Sequence, residues 1–277
     1  MRRARRDLAS RLLLAFLAVV LLVSAFPFLY TLSTALRPRS EIFHFPPSWL
    51  PHTWAWSNFV DVWSAIPLLR YMGNSVFVAG GATLLNLVVA IPAAYALSRF
   101  RFPGRGLFRQ VLLVTQMFSP VVLIIGLFRF LSNWGFVDQP ATLIVIYAAL
   151  SVAFSVWFLA GYFDSIPPEI EEAAMVDGCS RITALFRVIL PMAMPAVIAA
   201  LVFAFIWSWN DFVIALTFLS SPEKQTLPLG ISSFLGQYSV EWHYLMAAAL
   251  ITIVPVVVLF LLVERYLVKG LTAGAVK

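Results

Sequence analysis

The stretch EIEEAAMVDGCSRITALFRVILP, Glu169 to Pro191, decides how the rest of the chain is read. It is a polar, acid-rich island between two long apolar runs. Pro167 and Pro168 precede it, and proline opens helices well because first-turn amides have no intrahelical acceptor. Glu169, Glu171 and Glu172 fall in the first turn, where the helix dipole favours negative charge. Gly178 is placed to end that helix in the left-handed conformation. Ser180 can cap a second short helix, and Pro191 separates it from the next apolar run. The spacing predicts a helix–glycine–helix elbow. Ala173 and Ala174 give its first helix a shallow face on which another protein can pack, so the elbow reads as a docking element. The plainer alternative is an amphipathic connector.

The 277 residues around it are 61% hydrophobic and 12% charged. A soluble globular chain carries roughly 25% charged residues, so this composition belongs to an integral membrane protein. Six apolar runs are long enough to cross ~30 Å of hydrocarbon. They are residues 12–36, 75–97, 111–131, 141–162, 192–218 and 244–263, leaving the elbow at 165–191 and a tail at 264–277. The loops are too short to hold a second core, so residues 1–277 are read as one transmembrane domain. Alternating apolar and polar strands are absent, which excludes a barrel.

Positive charge orients the runs. With both termini inside, the inner segments hold Arg2, Arg3, Arg5, Arg6, Arg11, Arg99, Arg101, Arg105, Arg109, Arg181, Arg187, Arg265, Lys269 and Lys277. The outer segments hold Arg37, Arg39, Arg70, Arg129 and Lys224, so the 19 basic residues divide 14 to 5. N-in and C-in follows. The net charge of +6 is therefore a topology signal and gives no reason to expect a nucleic-acid partner. The first run is too long for a secretory signal and lacks a small-residue cleavage site, so it is read as an uncleaved span. Cys179 is the single cysteine, which leaves no disulfide framework and no metal cluster.

Along the chain, the outer loop Arg37–Tyr71 is rich in Pro and Trp, as suits the headgroup level or contact with an outer partner. The second span is rich in Gly and Ala, which let helix backbones approach in lipid, so it is expected at the centre of the bundle. Pro92 is expected to kink it. Gln116, Ser119 and Pro120 lie within the third run; an amide there serves an interhelical hydrogen bond or lines a pathway. Trp207-Ser208-Trp209-Asn210-Asp211 is the most polar group inside the fifth run. A carboxylate at such depth is costly unless it faces protein or water. Trp209, Asn210 and Asp211 are thus candidates for lining a pathway, since an indole can stack on the C–H face of a solute while amide and carboxylate bond its hydroxyls. The alternative is an interfacial helix end with a hydrated acid.

Glu172-Ala173-Ala174, Asp177-Gly178 and Leu190-Pro191 resemble the EAA loop of ABC-importer permeases, with Val188 where that family usually has Ile. Asn74-Ser75, Ala94-Tyr95-Ala96 and Phe102-Pro103-Gly104 are similar to the carbohydrate branch of the family. The tail Gly270-Leu271-Thr272-Ala273-Gly274-Ala275-Val276-Lys277 looks like that of the smaller, maltose-type permease subunit. The resemblance runs from about Asn74 to Lys277, and is loose before it. It implies an all-α type I importer permease with six transmembrane helices and a cytoplasmic coupling elbow, in the cytoplasmic membrane of a prokaryote. It implies a second, paralogous permease, two ATP-binding-cassette ATPases that carry ATP and Mg, and an extracytoplasmic sugar-binding protein as partners. The elbow then seats on the ATPase. The outer loop 221–243 corresponds to one that reaches toward the binding protein. Gly270, Leu271, Thr272 and Gly274, as an extended end, then meet the ATPase dimer.

The expected function is import of a carbohydrate, a di- or oligosaccharide, by alternating access; another solute such as a glycerol-phosphate ester is the alternative. No Gly-x-x-x-x-Gly-Lys-Ser/Thr occurs, so this chain has no such cradle for ATP phosphates. An intramembrane enzyme is the rival class, but His44, His52 and His243 are far apart and show no metal-ligand spacing. A proton- or sodium-driven carrier would carry more buried acids than Asp211 alone.

Overall fold

The computed structural model describes the backbone of residues 2–45, 49–236 and 239–275, and the side chains of residues 11–45, 49–236 and 239–264. The described residues are helical, with no β-sheet and one isolated bridge between Leu235 and Val240. Four helices are long and apolar enough to cross a membrane: Arg11–Ala35, Leu68–Arg99, Pro140–Ser165 and Trp242–Glu264. Two bent pairs raise the number to as many as six.

The bent pairs depart from the uninterrupted third and fifth spans read from hydropathy. In the third, Arg105–Thr115 and Pro120–Asn133 meet at 94°. Pro120 is the first residue of its helix and has no amide to give, while Ser119 before it is extended at φ −66°, ψ 125°. A residue preceding proline is pushed out of the helical region, and both restrictions act at this point. In the fifth, Arg181–Met192 and Met194–Asn210 meet at 81°, and Pro195 stands in the first turn of the second piece. That second piece ends at Asn210, short of the expected 218. Asp211 is extended there, and its carboxylate accepts from the amides of Ile214 (2.9 Å) and Ala215 (3.2 Å) at the start of a separate helix, Val213–Phe218. Pro92, in contrast, sits inside the unbroken helix Leu68–Arg99.

Contacts divide the chain into two units. In residues 69–230 and 254–277, the second and fourth spans are the centre. Toward one end Val78 and Ala82 pack with Leu143, Ile146 and Tyr147 against Ile214, Ala215 and Phe218. Toward the other, Ala90, Ala94 and Leu97 pack with Val156, Leu159 and Phe163 against Leu185, Ile189, Ala193 and Ala200. The small residues set how close the helices come: a Cβ at Gly81 would lie 2.7 Å from Ile144 Cδ1. Water does not drive such packing in lipid, where close van der Waals contact takes over much of the association energy.

In residues 1–68 and 231–253, buried Asn58 begins the helix Asn58–Ala65 and donates to the carbonyls of Ala35 (2.8 Å) and Arg37 (2.9 Å). The end of the first helix is thereby tied to the loop that follows it. Arg39 pairs with Glu241 at 2.8 Å. The last helix, Trp242–Ala275, keeps its backbone helical through the stretch expected as an extended tail. Leu271, Ala273 and Ala275 favour helix, which offsets Gly270 and Gly274. The side chains of Leu271 and Thr272, the surroundings of Gly270 and Gly274, and all of Val276 and Lys277 lie outside what is described, so the expected tail contacts fall there.

Candidate functional site

The elbow is built as its residues dictate. Pro168 starts the helix Pro168–Val176, with Glu169 and Glu171 in the first turn. Gly178 has φ +89°, a left-handed value that a side chain would strain, and the amide of Cys179 returns to the Ala174 carbonyl at 3.0 Å. Ser180 caps the next helix, Arg181–Ala184, its hydroxyl accepting from the Thr183 amide at 3.2 Å. A π-helical turn, Leu185–Ile189, and the short helix Leu190–Met192 follow. The break into the fifth span falls at Ala193, two residues beyond Pro191.

The helix Pro168–Val176 has two unlike sides. Glu172, Ala173, Val176 and Asp177 are exposed, and Ile182 and Phe186 beyond the turn are exposed too. Ala174, expected beside Ala173 on the docking face, is instead buried, because helix phase puts it on the side of Glu171; Leu190 is half-buried against the core around Leu185 and Ile189, and Pro191 is exposed. Glu171 is the surprise: it is only 3% exposed. One of its oxygens accepts from the Tyr95 hydroxyl, and the other from Arg99 Nε at 2.8 Å. Arg99 Nη2 also donates to the Ile166 carbonyl at 3.0 Å, just ahead of Pro167. Beside this, Asp164 accepts from Ser98 Oγ (2.8 Å) and Arg109 Nη2 (2.7 Å), with Arg105 at 3.6 Å. The elbow is thus clamped to the end of the second span.

The pathway candidates separate. Gln116 caps the helix Arg105–Thr115 and lines a groove of about 190 Å³ at the break in the third span, with Thr115, Ser151, Phe203 and Trp207. Trp209 is instead 1% exposed and stacked on Phe205 at 5.5 Å. Successive residues turn by 100° on a helix, so Trp207 and Trp209 face nearly opposite ways. Asn210 is exposed at the helix end. Asp211, besides its two amides, accepts from the Tyr147 hydroxyl at 2.9 Å, and Tyr147 meets Trp207 edge-on at 5.7 Å. The sequence reading named Trp207 and Glu171 without choosing either as a site residue, and passed over Ser151. The one signal for Glu171 was its spacing of three from Ala174, which puts both on one helix face. Among the described residues, no group of three His, Cys, Asp or Glu side chains gathers to hold a metal.

Residues 86–273 match the model of the binding-protein-dependent transport system inner membrane component. The chain belongs to that family. It is 36% identical over 261 residues to a sulfoquinovosyl glycerol transport system permease protein of Agrobacterium fabrum, covering 94% of this chain and 92% of the relative. It is 34% identical to the trehalose/maltose transport system permease protein of Thermococcus litoralis, covering 99% of each. Its fold superposes with TM-score 0.80 on a chain of a bacterial ABC transporter involved in import of the acidic polysaccharide alginate, at 22% identity, covering 94% and 96%. The protein is a multi-pass, non-catalytic permease of an ABC importer.

Proposed function

We propose that this permease imports a carbohydrate of di- or oligosaccharide size, delivered by an extracytoplasmic binding protein. Two ATP-binding-cassette ATPases and a second, paralogous permease complete the complex. The chain lies N-in and C-in, so that the elbow is cytoplasmic. The observation carrying this reading is the two-sided elbow. Gly178 at φ +89° presents Glu172, Ala173 and Val176 outward while Glu171 is held inward. An exposed, rigidly held corner with a shallow apolar face suits docking of a separate ATPase.

The groove at the third-span break supports a sugar. It offers an indole face at Trp207, an amide at Gln116 and a hydroxyl at Thr115, with the Ser151 hydroxyl held behind them by Asn86 and the Tyr147 carbonyl. Broken helices in membranes are tolerated where they border a cavity or packed protein. Asp211 acts one step behind, steadying Tyr147 against Trp207. The sugar class also rests on the relatives named for sulfoquinovosyl glycerol and for trehalose and maltose.

The test is the complex reconstituted in liposomes with its binding protein, challenged with a panel of oligosaccharides and a glycerol-phosphate ester. Uptake and stimulated hydrolysis are expected with a member of the sugar set. Response to the phosphate ester alone would overturn the carbohydrate assignment. Trp207→Ala is expected to lower sugar uptake by about tenfold, the loss of a stacking contact of ~1–1.5 kcal/mol.

A further inference from the structure

The docking reading of the elbow leaves open how movement at the ATPase reaches the membrane, and the buried side of the elbow supplies a route. Glu171 and Arg99 are separated by 72 residues, yet meet with side chains only 4% and 8% exposed. Tyr95 holds the second carboxylate oxygen, and Arg99 also holds the Ile166 carbonyl where the chain turns into the elbow. Tyr95 and Arg99 are four apart on the second span, so both reach the elbow from one helix face. That span is the one packed along its length against the fourth. An ion pair this enclosed has no water to replace a lost partner, so the two elements separate only at high cost.

We infer that Glu171, Arg99 and Tyr95 form a latch that makes the elbow and the inner end of the second span one lever. Glu171 is a positioning residue: it does not touch the ATPase, and it acts by carrying elbow movement into the second span. This rests on the elbow being the docking element, and its neighbour Glu172, exposed on the other side, separates the two ideas. Substitution at Glu172 or Gly178 reports on attachment, whereas substitution at Glu171 reports on transmission.

The experiment uses the full reconstituted complex with Cys179 changed to serine. Spin labels are placed at Glu169 on the elbow and Leu84 on the second span, both exposed. In the parent, the distance between labels is expected to stay constant between nucleotide-free and ATP-trapped states. In Glu171→Gln and Arg99→Met it is expected to differ between the states or to broaden. In Glu171→Gln the ATPase is expected to copurify in parental amount, while uptake per ATP falls about tenfold, a size typical of coupling between sites. Arg99→Lys is expected to recover part of that ratio. Where Glu171→Gln does not assemble, Tyr95→Phe reads the same ratio with only one hydrogen bond removed, and is expected to lower it. A label distance that changes in the parent overturns the lever. So does an unaltered uptake-per-ATP ratio in the variants, or loss of ATPase attachment in Glu171→Gln, which would make Glu171 part of the docking face. Retained attachment in Gly178→Val would instead overturn the docking reading beneath it.

Discussion

Two corners of this permease are each closed by a carboxylate and a cation, and they differ in water. At the elbow, Arg99 and Glu171 meet at 2.8 Å with side chains 8% and 4% exposed. At the opposite turn, Lys224 meets Asp138 at the same 2.8 Å, with side chains 38% and 25% exposed. Asp138 also accepts from the amides of Ser220 and Ser221 and from the Ser221 hydroxyl, and Lys224 reaches the Asp138 carbonyl. The turn after the third span and the loop after the fifth are thereby pinned together. Equal distances do not mean equal energies: solvent screens the exposed pair and leaves it worth ~0–1 kcal/mol, whereas orphaning one charge of a buried pair costs several times more. The elbow is a joint that resists opening. The turn is a clasp.

The sharpest way to break this contrast is Arg99→Met, which leaves Glu171 buried without its cation. A loss of about 3–5 kcal/mol in unfolding free energy is expected, read by denaturant titration in detergent. The double variant Arg99→Met, Glu171→Met should recover most of it, since two apolar groups of similar volume leave no orphaned charge. Equal losses in the single and double variants would show that shape, not charge, holds the joint.

Gly178→Val comes next. A β-branched residue at φ +89° meets the left-handed penalty of ~1–2 kcal/mol, although no atom lies within 4 Å of its Cβ position. The strain is local, so membrane insertion should be unchanged and ATPase copurification reduced.

Asp211→Ala removes the cap from Val213–Phe218 and the partner of Tyr147. Cap losses run at ~1 kcal/mol, and thermal unfolding should register that amount. Because Tyr147 abuts Trp207, sugar uptake should fall in parallel.

The smallest effect belongs to the clasp. Lys224 first, then the Ser221 hydroxyl and amide, hold the Asp138 carboxyl well below its ordinary value of 3.8. A depressed folded-state value means the contribution is complete above about pH 4 and is lost as the pH falls through the folded value. Lys224→Met should cost less than ~1 kcal/mol at neutral pH, and its deficit relative to the parent should shrink in strong acid. A deficit that grows in acid would reverse the sign of the argument.

What could be read from the sequence follows the range of the interactions. The elbow is local: Pro168, Gly178 and Ser180 act within a few residues, and each holds the conformation its chemistry favours. The six apolar runs were visible as composition, but hydropathy is blind to direction. The bends of 94° and 81° went unread although Pro120 and Pro195 stood in plain view. The Glu171–Arg99 pair spans 72 residues, and nothing local distinguishes Glu171 from the exposed Glu172 except helix phase. Phase also decides between Trp207 and Trp209. The indole chosen from the Trp-Asn-Asp run is packed on Phe205, and its neighbour two residues earlier lines the groove.

That the elbow, and no other exposed part of this chain, meets the ATPase is the point on which everything else rests. A photo-crosslinking residue placed singly at Ile182, and as a control at Leu216, puts that to one measurement in the assembled importer; both positions are exposed in this chain. The expected result is an ATPase adduct from Ile182 that disappears with Gly178→Val, and none from Leu216. An adduct from Leu216, or none from Ile182 in a complex that hydrolyses ATP and transports sugar, would contradict the elbow as the docking element.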